Sequence, residues 1–164
     1  MKKKKSILFY LIIFFCAVVV DFFTKEWALK TLINKDIKLF EGLNLTFVFN
    51  RGVSWGLLSF QSNLAFNILT AFIFLILIVF VVHTYAIIQK GRKCVFFEFL
   101  ILAGAISNLL DRFLHRGVID FIDIYIGTWH WPTFNLADIF VVVGVFGILG
   151  RFGYLWLYSK RLKN

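Results

Sequence analysis

Four stretches of this chain are each about 20 residues long and nearly free of charge, which leaves few folds open. A bilayer core of roughly 30 Å is crossed by about 20 residues of helix, because each residue rises about 1.5 Å. The stretches run approximately from Ser6 to Trp27, Leu64 to Ile88, Cys94 to Leu114 and Phe134 to Tyr154. The expected fold is an all-α membrane protein with a small β element: four transmembrane helices in a single domain covering residues 1–164. Composition agrees, since 60% of the residues are hydrophobic and 16% charged, with mean hydropathy +0.84, which excludes an ordinary soluble domain. With 22 Phe and one Pro the chain is neither collagen-like nor disordered, and two cysteines, Cys16 and Cys94, are too few for a disulfide scaffold.

The net charge of +9 raises the question of nucleic acid, and the position of the charge answers it. Lys2, Lys3, Lys4 and Lys5 precede the first stretch, Lys90, Arg92 and Lys93 separate the second from the third, and Lys160, Arg161 and Lys163 close the chain. No basic helix or groove pattern remains to follow a phosphate backbone, so no nucleic-acid partner is expected. Short cytoplasmic loops carry the Lys/Arg excess, and an even number of spans puts all three clusters on one side. Both termini are therefore expected in the cytoplasm, with residues 28–63 and 115–133 facing outward. Trp129, His130 and Trp131 then fall at the outer interface, and Trp156 and Tyr158 near the inner one. A Lys-rich start followed by Ile7 to Val20 also describes a secretory signal peptide, but no small-x-small site follows, and the first span is expected to stay. Cys16 is not read as a lipid-attachment site, because Phe14 and Phe15 precede it.

In the first outward segment, Leu43, Leu45, Phe47 and Phe49 alternate with Asn44, Thr46, Val48 and Asn50 between turn candidates Gly42 and Gly52. The pattern reads as a half-buried strand of a short sheet lying on the outer membrane surface, or alternatively as a connecting loop. A short loop or helix is expected before the fourth span.

Ionisable residues in a span persist where they are paired, wet or functional. Here they gather at one depth: Asp21, Thr24 and Lys25 end the first span, Asn108, Asp111 and Arg112 end the third, and Asn135 and Asp138 start the fourth. Residues three or four apart share a helix face, so each group projects together. Bland readings stand beside functional ones. Asp111 with Arg112 reads as a local ion pair, Asp21 with Lys25 as a helix-end anchor whose lysine snorkels to water, Asp123 as solvent-facing, and Arg151 as snorkelling to the inner face. Asp120 and Asp138 have no basic neighbour in sequence and lie where desolvation opposes ionisation.

Two carboxyls brought close share a proton and supply a base for water and an acid for a leaving amine, the chemistry of aspartic peptide hydrolysis. His83, His115 and His130 are scattered without an H-E-x-x-H, and Ser54, Ser59 and Ser107 lack a nucleophile-elbow context. A metal-dependent phosphotransferase using Asp111, Asp120 and Asp123 lacks its Asp-Gly and Ala-Arg elements. A small transporter or channel component would distribute charge across the membrane depth, whereas here it collects at one end.

Five motifs appear in order: Asp21-Phe-Phe-Thr24-Lys25; Asn50-Arg-Gly52-Val-Ser54-Trp-Gly56; Gly104-Ala-Ile-Ser-Asn108-Leu-Leu-Asp111-Arg112; Gly117-Val118-Ile-Asp120-Phe121; and Phe134-Asn135-Leu-Ala137-Asp138. Over essentially its whole length the chain resembles the bacterial lipoprotein signal peptidases, or signal peptidase II. The resemblance implies Asp120 and Asp138 as the catalytic pair, and it is the resemblance that chooses Asp120 over Asp111. It also implies Asn50, Gly52, Asn108, Arg112 and Asn135 as substrate-binding or site-shaping residues, with Asp21, Lys25 and Asp111 in support. Ser54 stands where a small apolar residue is usual and Ser107 where glycine is. The implied substrate is a diacylglyceryl-modified prolipoprotein in the bacterial cytoplasmic membrane, cut on the amino side of its lipidated cysteine. The enzyme would act as a monomer in contact with membrane lipid, without metal or other cofactor, at a site near the outer face. The segment from Ile37 to Phe60 would cover that site and clamp the substrate.

Overall fold

The computed structural model describes residues 2–52, 62–91 and 94–161, with side chains from residue 7 onward. Ser54, Gly56, Ser59, the far end of the clamp segment, and the basic residues Arg92, Lys93 and Lys163 lie outside the described residues. In chain order come α1 (Lys2–Thr31), β1 (Ile37–Phe40), β2 (Leu43–Asn50), α2 (Asn63–Gln89), α3 (Phe96–His115), β3 (Val118–Ile126), β4 (Trp129–His130) and α4 (Leu136–Arg161). The fold is mostly helical with one small antiparallel sheet, in the order β1-β2-β3-β4.

Among the described residues three helices are long and apolar enough to cross a membrane: α1 over Ile7–Thr31, α2 and α4. The exception, α3, packs against all three of the others and buries Glu98, Ser107, Asp111 and Arg112. A hub helix surrounded by protein can carry polar groups that a lipid-facing helix cannot, which is why its composition falls short. The lipid-type surface lies on the others, as with Phe9, Phe15 and Phe23 on α1 and Phe72, Leu75 and Val79 on α2, all exposed.

The alternating segment is the strand β2. It is joined to β1 through Glu41 and Gly42, the latter at φ +95°, a conformation glycine adopts without steric cost. The other outward segment departs from expectation: β3 and β4 stand where a short loop or helix was expected. Val118, Ile119 and Phe121 were legible as apolar, but their strand partner in β2 is nearly 70 residues away in sequence. Ile119 and Phe121 pack on Ala28 of α1 and on Leu32 just past its end, so the sheet sits on the C-terminal end of that helix. Arg116, in the left-handed region at φ +60°, and Gly117 turn the chain from α3 into β3. That turn carries Asp120 back toward the helices. Trp129 and Trp131 are exposed at the sheet end of the bundle, and Trp156 and Tyr158 near the far end of α4.

Two bland readings are overturned. Asp123 is buried, accepts from Asn44 Nδ2 at 3.2 Å and faces His130 Nδ1 at 2.8 Å, because β2 and β4 flank it on the sheet. Arg151 does not simply snorkel. It pairs with Glu98 and donates to the Cys94 carbonyl at 3.1 Å, closing α4 onto the start of α3.

The α3–α4 contact is tightest at Gly104, where a Cβ would stand 2.2 Å from the Ala137 carbonyl oxygen and 2.9 Å from Val141. Gly104→Ala is therefore expected to destabilise the fold by about 1–3 kcal/mol, through overpacking next to Asp138. Gly150→Ala, inside α4 with nothing within 4 Å of the added Cβ, should raise stability by about 0.5–1 kcal/mol. Thermal unfolding of the two variants in one detergent checks the contrast.

Candidate active site

The start of α4 leaves backbone N–H groups without intrahelical partners, and the sequence fills them from two directions. Asn135, just ahead of the helix, accepts from the Asp138 N–H at 2.9 Å, and its own N–H donates to Asp138 Oδ2 at 3.4 Å, a reciprocal cap. Asp21 of α1 accepts from the Ala137 N–H at 2.8 Å through Oδ1. Capping thus fixes the depth and the orientation of the Asp138 carboxylate.

Asn135 also faces the other way. Its Nδ2 donates to Asp120 Oδ1 at 2.6 Å, to Asn108 Oδ1 at 3.1 Å and to the Ile119 carbonyl at 3.3 Å. One amide therefore bridges Asp120 on β3 and Asp138 on α4. Asn50 at the end of β2 donates to Asp120 Oδ2 at 2.9 Å, and Asn108 donates to Asp138 Oδ1 at 2.9 Å. Both aspartates line one cavity of about 200 Å³ together with Asn50, Asn108 and Arg112.

Behind this layer lies a buried cation. Lys25 reaches Asp21 Oδ2 at 2.7 Å, Asp111 Oδ2 at 3.0 Å and Asn108 Oδ1 at 2.8 Å, and it is 1% exposed. Its donation to Asn108 Oδ1 turns the amide so that Nδ2 faces Asp138. Asp111 also accepts from the Ile119 N–H at 3.1 Å, pinning the strand that carries Asp120. Neither sequence expectation for these residues survives: Lys25 does not reach water, and Asp111 pairs with Lys25 rather than with its neighbour Arg112. Ser107, where the resemblance led one to expect glycine, donates to Asp21 Oδ2, so the substitution adds a bond to the network.

Arg112 donates through Nη2 to the Gly52 carbonyl, and its guanidinium lies 5.5 Å from the centre of the Phe66 ring. The Gly52 N–H donates to Asn50 Oδ1 at 2.8 Å, which leaves the Asn50 amide group turned to Asp120. All ten residues singled out from the sequence therefore fall in one connected cluster. The sequence reading passed over Glu98, the partner of Arg151. An acidic residue inside an apolar stretch was the available signal, since such a charge demands a partner.

Asp120, on β3, is pushed up from the ordinary carboxylate range to about 7. Burial is the main cause and the nearby charge of Asp138 adds to it, while Asn50, Lys25 and Asn135 favour the ionised form. A group of this kind holds a proton near neutrality and can release it. Among the described residues no cluster of His, Cys, Asp and Glu has the arrangement of a metal site.

Comparison with known proteins agrees with this geometry. The family model for signal peptidase (SPase) II matches residues 13–152. The chain is 36% identical over 150 residues to a lipoprotein signal peptidase of Buchnera aphidicola, covering 91% of this chain and 96% of that one. It is 36% identical over 141 residues to that of Blochmanniella pennsylvanica, covering 84% of each. A bacterial membrane enzyme solved by the in meso method at 2.3 Å superposes with a TM-score of 0.71 at 28% identity, over 98% of this chain and 92% of that one. A second, at 1.9 Å, gives 0.68 at 30% identity, over 91% and 92%.

Ionisation at Asp120, coupled to the charge of Asp138, is expected to set a limb in the pH profile. Loss of its proton on the alkaline side is expected to lower kcat/KM with a midpoint near pH 7. Asn50→Leu removes a donor that stabilises the ionised form, so the limb should move to higher pH. A pH series of initial rates for both proteins checks the direction.

Proposed function

The chain belongs to the signal peptidase II family and is a lipoprotein signal peptidase of the aspartic type, and from that premise we propose that Asp120 and Asp138 are its catalytic pair. The observation that carries this reading is the Asn135 bridge: its side-chain amide donates to the Asp120 carboxylate and its backbone N–H to the Asp138 carboxylate, beside one cavity. The pair shares a proton and holds a water in the cavity. The ionised member takes a proton from that water as it attacks the scissile carbonyl, and the protonated member gives its proton to the departing amine. The titration belongs to the pair, so neither aspartate is assigned alone as the base. No step needs a metal.

The substrate is a prolipoprotein whose cysteine carries diacylglycerol, cut on the amino side of that cysteine. Asn50, Gly52, Asn108, Arg112 and Asn135 shape the site, and Asp21, Lys25 and Asp111 hold it in place. α3 is the fourth span: its 20 residues reach about 30 Å. Both termini lie in the cytoplasm, supported by Lys160 and Arg161 at the end of α4, and the sheet and active site lie at the outer face of the bacterial cytoplasmic membrane. The aromatic residues at the two ends of the bundle fit the two interfaces. A single chain supplies every residue of the site and works in contact with membrane lipid. The described part of the Ile37–Phe60 segment supports the clamp reading through Asn50 and Gly52, which touch Asp120 and Arg112.

Purified protein is expected to process a diacylglyceryl-modified precursor and leave its unlipidated counterpart intact. Asp120→Asn and Asp138→Asn should each lower turnover by about 10³-fold or more, with membrane insertion unchanged and no effect of chelators on the native protein. Full activity in either variant, or cleavage of both precursors at equal rates, contradicts the proposal.

A further inference from the structure

Hydroxyl groups inside helices commonly donate to a carbonyl of their own helix. Here Thr24 donates to the Asp21 carbonyl, Thr70 to that of Phe66 and Thr84 to that of Phe80, each at 2.8 Å. Ser107, inside α3, does not follow them. Its hydroxyl crosses to α1 and donates to Asp21 Oδ2, the same carboxylate oxygen that takes the Lys25 ammonium at 2.7 Å. Ser107 is 4% exposed and Asp21 is fully buried, so the bond lies away from water. The next residue along α3 is Asn108, whose amide donates to Asp138.

The consequence of that bond runs through Lys25. The ammonium donates to Asp21, Asp111 and Asn108, that is, to two carboxylates and one neutral amide oxygen. In a medium of low dielectric an ammonium is held more strongly by a carboxylate than by an amide, so the contact with Asn108 is the weakest of the three. That contact is also the one that turns the Asn108 amide group toward Asp138. A second donor on Asp21 Oδ2 meets part of the demand of that carboxylate and reduces its pull on the ammonium. We propose that Ser107 is a positioning residue for peptide hydrolysis: its hydroxyl, by sharing Asp21 with Lys25, leaves the ammonium on Asn108 and so keeps Asn108 on Asp138. The proposal rests on the peptidase reading and goes beyond it, since it makes the chemistry depend on a side chain that bonds to neither Asp120 nor Asp138. Without the hydroxyl, Lys25 is drawn toward Asp21, the Asn108 oxygen is released and the amide turns away from Asp138.

The test uses the full-length protein in one detergent with a diacylglyceryl-modified precursor, and reads kcat, KM and the thermal unfolding midpoint of each variant. Ser107→Ala, whose methyl group occupies the space without donating, should lower kcat by about ten-fold, the scale of one hydrogen bond to a charged group, with KM within about two-fold. Ser107→Gly leaves room for a water to donate to Asp21 instead, and should keep kcat within about three-fold of the native value. Glycine weakens a helix interior more than alanine does, so helix stability alone predicts the opposite order of the two variants. Asn108→Ala removes the route to Asp138, and adding Ser107→Ala to it should change kcat by less than about two-fold. A native kcat in Ser107→Ala, whatever its unfolding midpoint, reduces the bond to a structural one and overturns the proposal. A kcat in Ser107→Gly no higher than in Ser107→Ala overturns it too, as does a double variant in which the two single losses multiply. Cleavage of the precursor by the native protein tests the peptidase reading separately, so either can fail without the other.

Discussion

The polar cluster around Asp120 and Asp138 depends on one buried ammonium. Lys25 is held between Asp21 and Asp111, and it reaches Asn108, whose amide in turn faces Asp138. Removing one partner from a buried ion pair costs about 3–5 kcal/mol, because the remaining charges lose their compensation. Here the loss would extend beyond stability. Asp21 caps the second residue of α4, and Asp111 anchors the backbone of β3, so the cation fixes the two elements that carry Asp138 and Asp120.

That arrangement explains why the polar residues collect at one end of an otherwise apolar bundle. Each of α1, α3 and α4 contributes charges at the same level, and bonds between helices join the one ion pair inside α1, Lys25 with Asp21, to Asp111, Asn108 and the start of α4. The cost of taking carboxylates out of water is what raises Asp120 toward neutrality, and the asparagines around it limit that rise. Asn135 is the most heavily used side chain: it caps a helix with its oxygen and holds Asp120 with its nitrogen. The opposite end of the bundle is closed by Glu98 and Arg151, a pair remote from Asp120 and Asp138.

Much of this was legible in the sequence, and the limits are physical. Length and apolarity located the four helices, three of which are long and apolar enough to cross a membrane, the quantities a bilayer sets. Period-two alternation located β2, and the clustering of Asp21, Lys25, Asn108, Asp111, Arg112, Asn135 and Asp138 at helix ends located the site. What the sequence left open was pairing. Residues three or four apart on a helix invite local ion pairs, so Asp111 was read with Arg112, whereas its partner Lys25 is 86 positions away. Strands β3 and β4 escaped notice because Val118–Ile126 forms a strand only against β2 and α1. The choice of Asp120 as partner of Asp138 came from family resemblance; in the structure Asn135 bonds both residues, whereas Asp111 pairs with Lys25.

The central claim is that Asp120 and Asp138 act on one reacting centre. It is tested most directly by a peptide mimic in which a hydroxyethylene group replaces the scissile bond, with its Kd measured for the native protein, for Asp120→Asn and Asp138→Asn, and for the double variant. The account predicts that each single change weakens binding by about 10²-fold and that the double variant is scarcely weaker than either, because two groups serving one atom are not additive. Losses that multiply in the double variant would mean that the two carboxylates act independently, and would contradict it.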